Sequence, residues 1–216
     1  ILAFIKYMLS ANFTTIMVVG LLTMLGFPLP VLPLQILWIN IATDSLPALA
    51  LGSSPAAKDI MENKPHKKAE SIFKKFFIFI SAGVFIQTIA NLITYFYGLS
   101  LDTKAAVDIA NLSEASHART LVFSQIVMFE LLLAFVCKEE KSIKLKSFLA
   151  NKNLIAAVGL SFILQLVMIY APFMQTVFKT VPLSLGEWLL VIGLASTAFL
   201  VPGLTDFVKK HFRRIT

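Results

Sequence analysis

Cysteine occurs once, at Cys137, in a chain of 216 residues, and only 14% of the residues are charged. One cysteine excludes an internal disulfide framework. A soluble domain carries about 25% charged residues, whereas this chain is 57% hydrophobic with a mean hydropathy of +0.81. A globule of 23.9 kDa cannot enclose that much apolar surface, so the solvent for most of it is lipid. Histidine is scarce too: His66, His117 and His211 fall in loops and the tail, so no His cluster has metal-ligand spacing. There is no internal repeat, no low-complexity tract, and no initiator Met or signal-peptide pattern. Ile1 opens directly into a hydrophobic segment, which reads as a piece of a longer polypeptide. Together these features exclude a cytosolic enzyme, a nucleic-acid-binding module and a disordered chain.

What is present is a series of six apolar stretches, near 2–25, 31–51, 72–98, 118–136, 153–171 and 184–208. Each is long enough to cross a hydrocarbon core of roughly 30 Å as a helix. They are too long for barrel strands and lack strict alternation, so the expected fold is an all-α bundle of six transmembrane helices. Gly26-Phe27-Pro28-Leu29-Pro30 is an uncharged turn that makes the first two helices a hairpin. Polar loops are expected at 52–71, 99–117 and 137–152, with Pro172 and Pro182 bracketing the last connection.

The formal charge of +7 is distributed by side rather than in a patch. One face of the bundle collects 16 Lys and Arg: Lys6, the lysines of 58–75 and 138–152, and Lys209, Lys210, Arg213 and Arg214. The opposite face holds 3, namely Lys104, Arg119 and Lys179. By the positive-inside rule the basic face and both termini are cytoplasmic, and the basic excess needs no nucleic-acid partner.

A carboxylate at mid-bilayer costs roughly 2.5–3.5 kcal/mol on insertion scales. Of 12 acidic residues only Asp44 and Glu130 sit well inside an expected span, with Glu187 and Asp206 nearer the ends of the last. Asn40, Thr43 and Asp44 stand at i, i+3 and i+4, share a helix face, and all offer oxygen, the ligand preferred by hard cations. Pro47 has no N–H and leaves the Thr43 carbonyl without its helical donor; such freed carbonyls at membrane depth line ion cavities. The alternative for Asn40 or Thr43 alone is an interhelical hydrogen bond; Asp44 beside Pro47 favours a cation site. Glu130 stands alone in its span, as a site residue or a structural partner. Asn12 and Thr15, one turn apart in the first helix, are placed to face Asn40 across the hairpin. Gln35, Gln87, Asn91, Gln125 and Gln165 read as helix-packing contacts.

The run Gln35-Ile36-Leu37-Trp38-Ile39-Asn40 through Asp44-Ser45-Leu46-Pro47-Ala48, then Leu51-Gly52 and Pro55, resembles the sixth transmembrane helix of P-type cation-transporting ATPases. The resemblance is strongest to the calcium pumps of sarcoplasmic and endoplasmic reticulum. Asp59-Ile60-Met61 and Pro65 are similar to that family's cytoplasmic loop between helices six and seven, and all six spans match helices five to ten. The resemblance implies that 1–216 is a carboxy-terminal transmembrane domain with metal ligands at Asn12, Asn40, Thr43, Asp44 and Glu130. It implies Ca²⁺ as the transported ion, with Mg²⁺ and ATP bound by cytoplasmic domains of the same pump. The partners are then the lipid bilayer, the cation and the rest of the pump, in a plasma membrane or endomembrane. Where the reticulum pumps have a Glu three residues after the helix-five Asn, this chain has Thr15, as befits a one-ion pump. The chain contains no Asp-Lys-Thr-Gly-Thr phosphorylation motif and no Walker pattern, so catalysis of ATP hydrolysis belongs to segments outside it. A pump for Na⁺, H⁺ or Mg²⁺ is the alternative within the class; a standalone six-helix channel or secondary transporter is the alternative outside it. The loop 52–71 is expected to couple the ion-binding helix to the phosphorylation domain, or else to anchor the chain on lipid headgroups.

Overall fold

The computed structural model describes residues 2–52, 72–105, 116–138 and 152–212. The proposed coupling loop, including Pro55, Asp59 and Pro65, lies outside the described residues. So do most of the lysines of 58–75 and 138–152 and the tail arginines. All regular structure among the described residues is helical, and six helical segments are long and apolar enough to cross a membrane. They run Leu2–Met24, Pro33–Gly52, Phe76–Thr103, Ser116–Lys138, Lys152–Tyr170 and Leu185–His211, matching the six expected spans within a few residues.

In chain order the elements are α1 (Leu2–Met24), α2 (Pro33–Trp38), a π-helical turn (Ile39–Thr43), α3 (Ser45–Gly52) and α4 (Ile72–Ala105). They continue with α5 (Ser116–Lys138), α6 (Lys152–Tyr170), the short α7 (Pro172–Phe178), α8 (Leu185–Ala195), a 3-10 turn (Ser196–Leu200) and α9 (Val201–Phe212). The second span is thus α2 and α3 joined by the π turn, and the sixth is α8 and α9 joined by the 3-10 turn. With 34 residues, α4 is about 51 Å long at 1.5 Å per residue, longer than the hydrocarbon core it crosses.

The hairpin between the first two spans closes as the sequence suggests. Gly26 takes φ +79°, which a side chain would resist. Its N–H donates to Thr23 O and that of Phe27 to Leu22 O, both at 3.0 Å, satisfying carbonyls that the helix end leaves open. Pro33 then starts α2, and Gln35 secures its first turn by accepting from Leu32 N–H at 2.9 Å.

The bundle is built around α5, which α1, α4, α6, α8 and the 3-10 turn all touch. Nearly every side chain of α5 is buried, including Arg119, Thr120, Ser124, Gln125 and Glu130. In lipid the hydrophobic effect does not hold helices together, so polar content decides which helix goes inside. The helix richest in buried polar groups is the central one, while α1, α4 and α6 turn faces such as Ile16, Phe85 and Ile163 outward. Close approach of α4 and α5 depends on Gly98, where an added Cβ would lie 2.5 Å from the Cα of Ala118. Below that contact, Asp102 accepts from the backbone N–H of His117 (3.1 Å) and Ala118 (3.0 Å) at the first turn of α5.

Candidate cation site

The site begins where the second span departs from α-helix. The N–H of Asp44 donates to Ile39 O at 2.8 Å, five residues back, so the turn 39–43 is widened by one residue. The sequence places the break at Pro47; the structure places the distortion one turn earlier and keeps Ser45–Gly52 helical. Pro47 still has its expected effect. The Thr43 carbonyl lacks a helical donor at position 47, and Ser161 of α6 supplies one from its hydroxyl at 3.2 Å. The Thr43 hydroxyl donates to its own Ile39 carbonyl at 2.9 Å. The Ile39 carbonyl thus accepts from both the Asp44 N–H and the Thr43 hydroxyl.

Asp44, only 1% exposed, points into the bundle, where the Tyr7 phenol donates to its Oδ1 at 3.0 Å. Glu130 of α5, also 1% exposed, lies beside the Asp44 carboxyl and the amide of Gln87 from α4. Neither Glu130 oxygen completes a hydrogen bond among the described residues, and neither does either end of the Gln87 or Asn91 amide. A buried polar group left unpaired costs about 1–3 kcal/mol, and two adjacent carboxylates in a low dielectric repel unless a proton or a cation lies between them. A cation between them removes both costs at once. Carboxylate and amide oxygens are the ligand set of a hard cation.

Of the five ligands the sequence suggests, the structure brings Asp44 and Glu130 together. Thr43 is fully buried next to Asp44, with its hydroxyl turned back to the helix. Asn40 is half-buried, its amide donating to Ile36 O at 3.0 Å, and Ser45 Oγ donates to its carbonyl at 2.7 Å. Asn12 is half-buried and donates to Met8 O at 2.9 Å, and Thr15 donates to Ala11 O at 3.4 Å. Asn12 and Asn40 therefore use their amide N–H groups within their own helices.

Three members of this region were not assigned to the site from sequence: Tyr7, Gln87 and Ser161. A lone Tyr in an apolar run carries no spacing signal, and neither does a Ser. Gln87 did stand out as a polar residue in an apolar span, where it read as packing. That reading holds for two other glutamines. Gln35 Nε2 donates to Phe178 O at 2.9 Å. In the amide orientation its surroundings satisfy, Gln125 donates to Val191 O at 2.9 Å and accepts from Ala195 N–H at 3.3 Å. Glu187, expected near water, is buried at the start of α8, where its Oε2 accepts from Ser184 N–H (2.6 Å) and hydroxyl (2.7 Å). It is a cap. Among the described residues no group of three or more His, Cys, Asp or Glu is arranged to hold a metal, so the acidic centre consists of one pair.

Fold and site define an α-helical integral membrane protein with a buried, acid-containing polar centre contributed by α1, the second span, α4 and α5. Residues 28–209 match the family described as "Cation transporting ATPase, C-terminus", and the chain belongs to that family. It is 36% identical over 203 residues to a calcium-transporting ATPase of Bacillus subtilis, covering 93% of this chain and 22% of that protein. It is 31% identical over 206 residues to calcium-transporting ATPase 1 of Saccharomyces cerevisiae, covering 93% and 20% respectively. With an endoplasmic reticulum-type calcium-transporting ATPase of Arabidopsis thaliana it shares 29% identity over 254 residues, covering 95% and 24%. The chain thus spans about a fifth to a quarter of the length of these curated relatives.

Proposed function

We infer that the chain is the carboxy-terminal membrane part of an ATP-driven calcium pump, in which it supplies part of the path and binding site of the transported ion. The observation that carries this reading is the meeting of Asp44 and Glu130. They lie far apart in sequence, are almost fully buried, and stand side by side, with no N–H or hydroxyl donor on the Glu130 oxygens among the described residues. Such a pair needs a proton or a cation between its two acids, and its carboxylate oxygens suit a hard cation. The relatives are calcium-transporting ATPases, which supports calcium as that cation.

In this reading Asp44 and Glu130 bind the ion through carboxylate oxygens, Tyr7 orients Asp44, and Ser161 fixes the backbone at Thr43. Asn12, Asn40 and Thr43 complete the ligand set from the resemblance. ATP and Mg²⁺ act in cytoplasmic domains outside this chain, both termini face the cytoplasm, and no nucleic acid takes part.

The test is Asp44→Asn in the full-length pump. It keeps the shape and removes a charge needed to compensate a divalent ion. Calcium-dependent phosphoenzyme formation should be abolished while expression stays near normal. Normal calcium activation in that variant would sink the site assignment.

A further inference from the structure

Four buried glutamines divide into two kinds: Gln165 of α6, like Gln87, is fully buried with neither amide atom bonded, and what sets Gln87 apart from it is its place beside Glu130. Gln35 and Gln125 are tied at both ends of their amides to backbone or capping partners. Gln87 is fully buried, has neither amide atom bonded, and lies beside the Glu130 carboxyl. Asn91 continues the same face of α4 one turn on, fully buried and likewise unbonded. A fully buried amide is expected to find partners, and for Gln87 the neighbour on offer is an acid. One held loosely against an acid has a different use.

We propose that Gln87 is a ligand of the transported cation, presenting its amide oxygen to the ion held by Asp44 and Glu130. The proposal rests on the reading of that pair as the ion site. A side-chain amide has a donor end and an acceptor end that exchange by a half-turn of the terminal torsion. Without an ion, the acceptor oxygens of Glu130 favour the NH₂ end. With a cation between the two acids the sign of the local field reverses, and the carbonyl end is favoured. The half-turn is open to Gln87 because no other bond holds the amide. The amide thereby adds a neutral oxygen from α4, which compensates in number for a ligand set that has Thr15 instead of an acid on α1. Hard cations accept such carbonyl oxygens alongside carboxylates.

The experiment compares Gln87→Met, Gln87→Glu and Asp44→Asn in the full-length pump, by equilibrium binding of labelled calcium to protein that elutes as a single species in detergent. Met matches the length of Gln but has no oxygen; Glu keeps an oxygen at the same place. Gln87→Met should weaken binding about tenfold, the loss of one hydrogen-bond-strength interaction. Gln87→Glu should bind within about threefold of the wild type or more tightly, as an added ligand charge favours calcium. Unchanged binding in Gln87→Met overturns the proposal, and so does equal weakening in both variants, which marks the amide as structural. If Gln87→Met aggregates, Gln87→Leu takes its place: binding weakened about tenfold supports a ligand, and unchanged binding refutes it. Loss of binding in Asp44→Asn together with unchanged binding in Gln87→Met leaves the site reading standing and removes Gln87 from it. Unchanged binding in Asp44→Asn removes the site reading itself.

Discussion

The phenol of Tyr7 and the carboxylate of Asp44, 37 residues apart, form a buried hydrogen bond of 3.0 Å across the hairpin of the first two spans. The Asp44 carboxyl also has Glu130 beside it. Hydrogen bonds to a charged group contribute about 1.5–3 kcal/mol, so this bond stabilises the arrangement of the acid while no cation is near. Once a divalent ion compensates the charge, the phenol contributes less. Tyr7→Phe should therefore lower the apparent melting temperature of the full-length pump more in chelator than in saturating calcium. Equal shifts under the two conditions would show that the bond is indifferent to the ion.

The six spans were legible because twenty or so consecutive apolar residues have one solution in lipid. Asp44 and Glu130 were legible for a related reason: an acid at mid-membrane is costly and stands out in an apolar run. Their adjacency was not legible, because it follows from α5 occupying the centre of the bundle, which a pattern along one helix does not state. The π turn at 39–43 escaped for another reason. Pro47 marks where a donor is missing, but the chain accommodates it by widening the preceding turn and borrowing the Ser161 hydroxyl from α6. The orientations of Asn12 and Asn40, which donate to carbonyls four residues back, are likewise set by local competition that helical spacing does not resolve.

The stoichiometry of transport is the second expectation. On α1 the position one turn beyond Asn12 is Thr15, whose hydroxyl donates to Ala11 O at 3.4 Å. The described acidic centre is a single pair, Asp44 and Glu130, whose two negative charges balance one divalent ion. We expect one calcium bound per pump, measured by equilibrium binding of labelled calcium to the full-length protein at saturation. A value of two would mean that neutral oxygens and residues outside this chain build a second site.

The last expectation concerns the backbone that positions Asp44. Ala48 N–H bonds Asp44 O at 3.0 Å in ordinary α-helical fashion, so the preceding residue's nitrogen is aligned with Thr43 O. That nitrogen belongs to Pro47 and has no hydrogen, and the Ser161 hydroxyl takes its place at 3.2 Å. Ser161→Ala alone should leave a buried carbonyl without a donor and cost about 1–2 kcal/mol. Pro47→Ala restores an N–H at that position, so the carbonyl then has a donor whether or not Ser161 is present. In the Pro47→Ala background, Ser161→Ala should cost clearly less, with a coupling of about 0.5–1.5 kcal/mol between the two positions. Thermal denaturation of the four full-length proteins in one detergent, followed by loss of calcium binding, measures the cycle. Additive effects would mean that the Ser161 hydroxyl does not replace the donor lost at Pro47, and that the widened turn before Asp44 is held by something else.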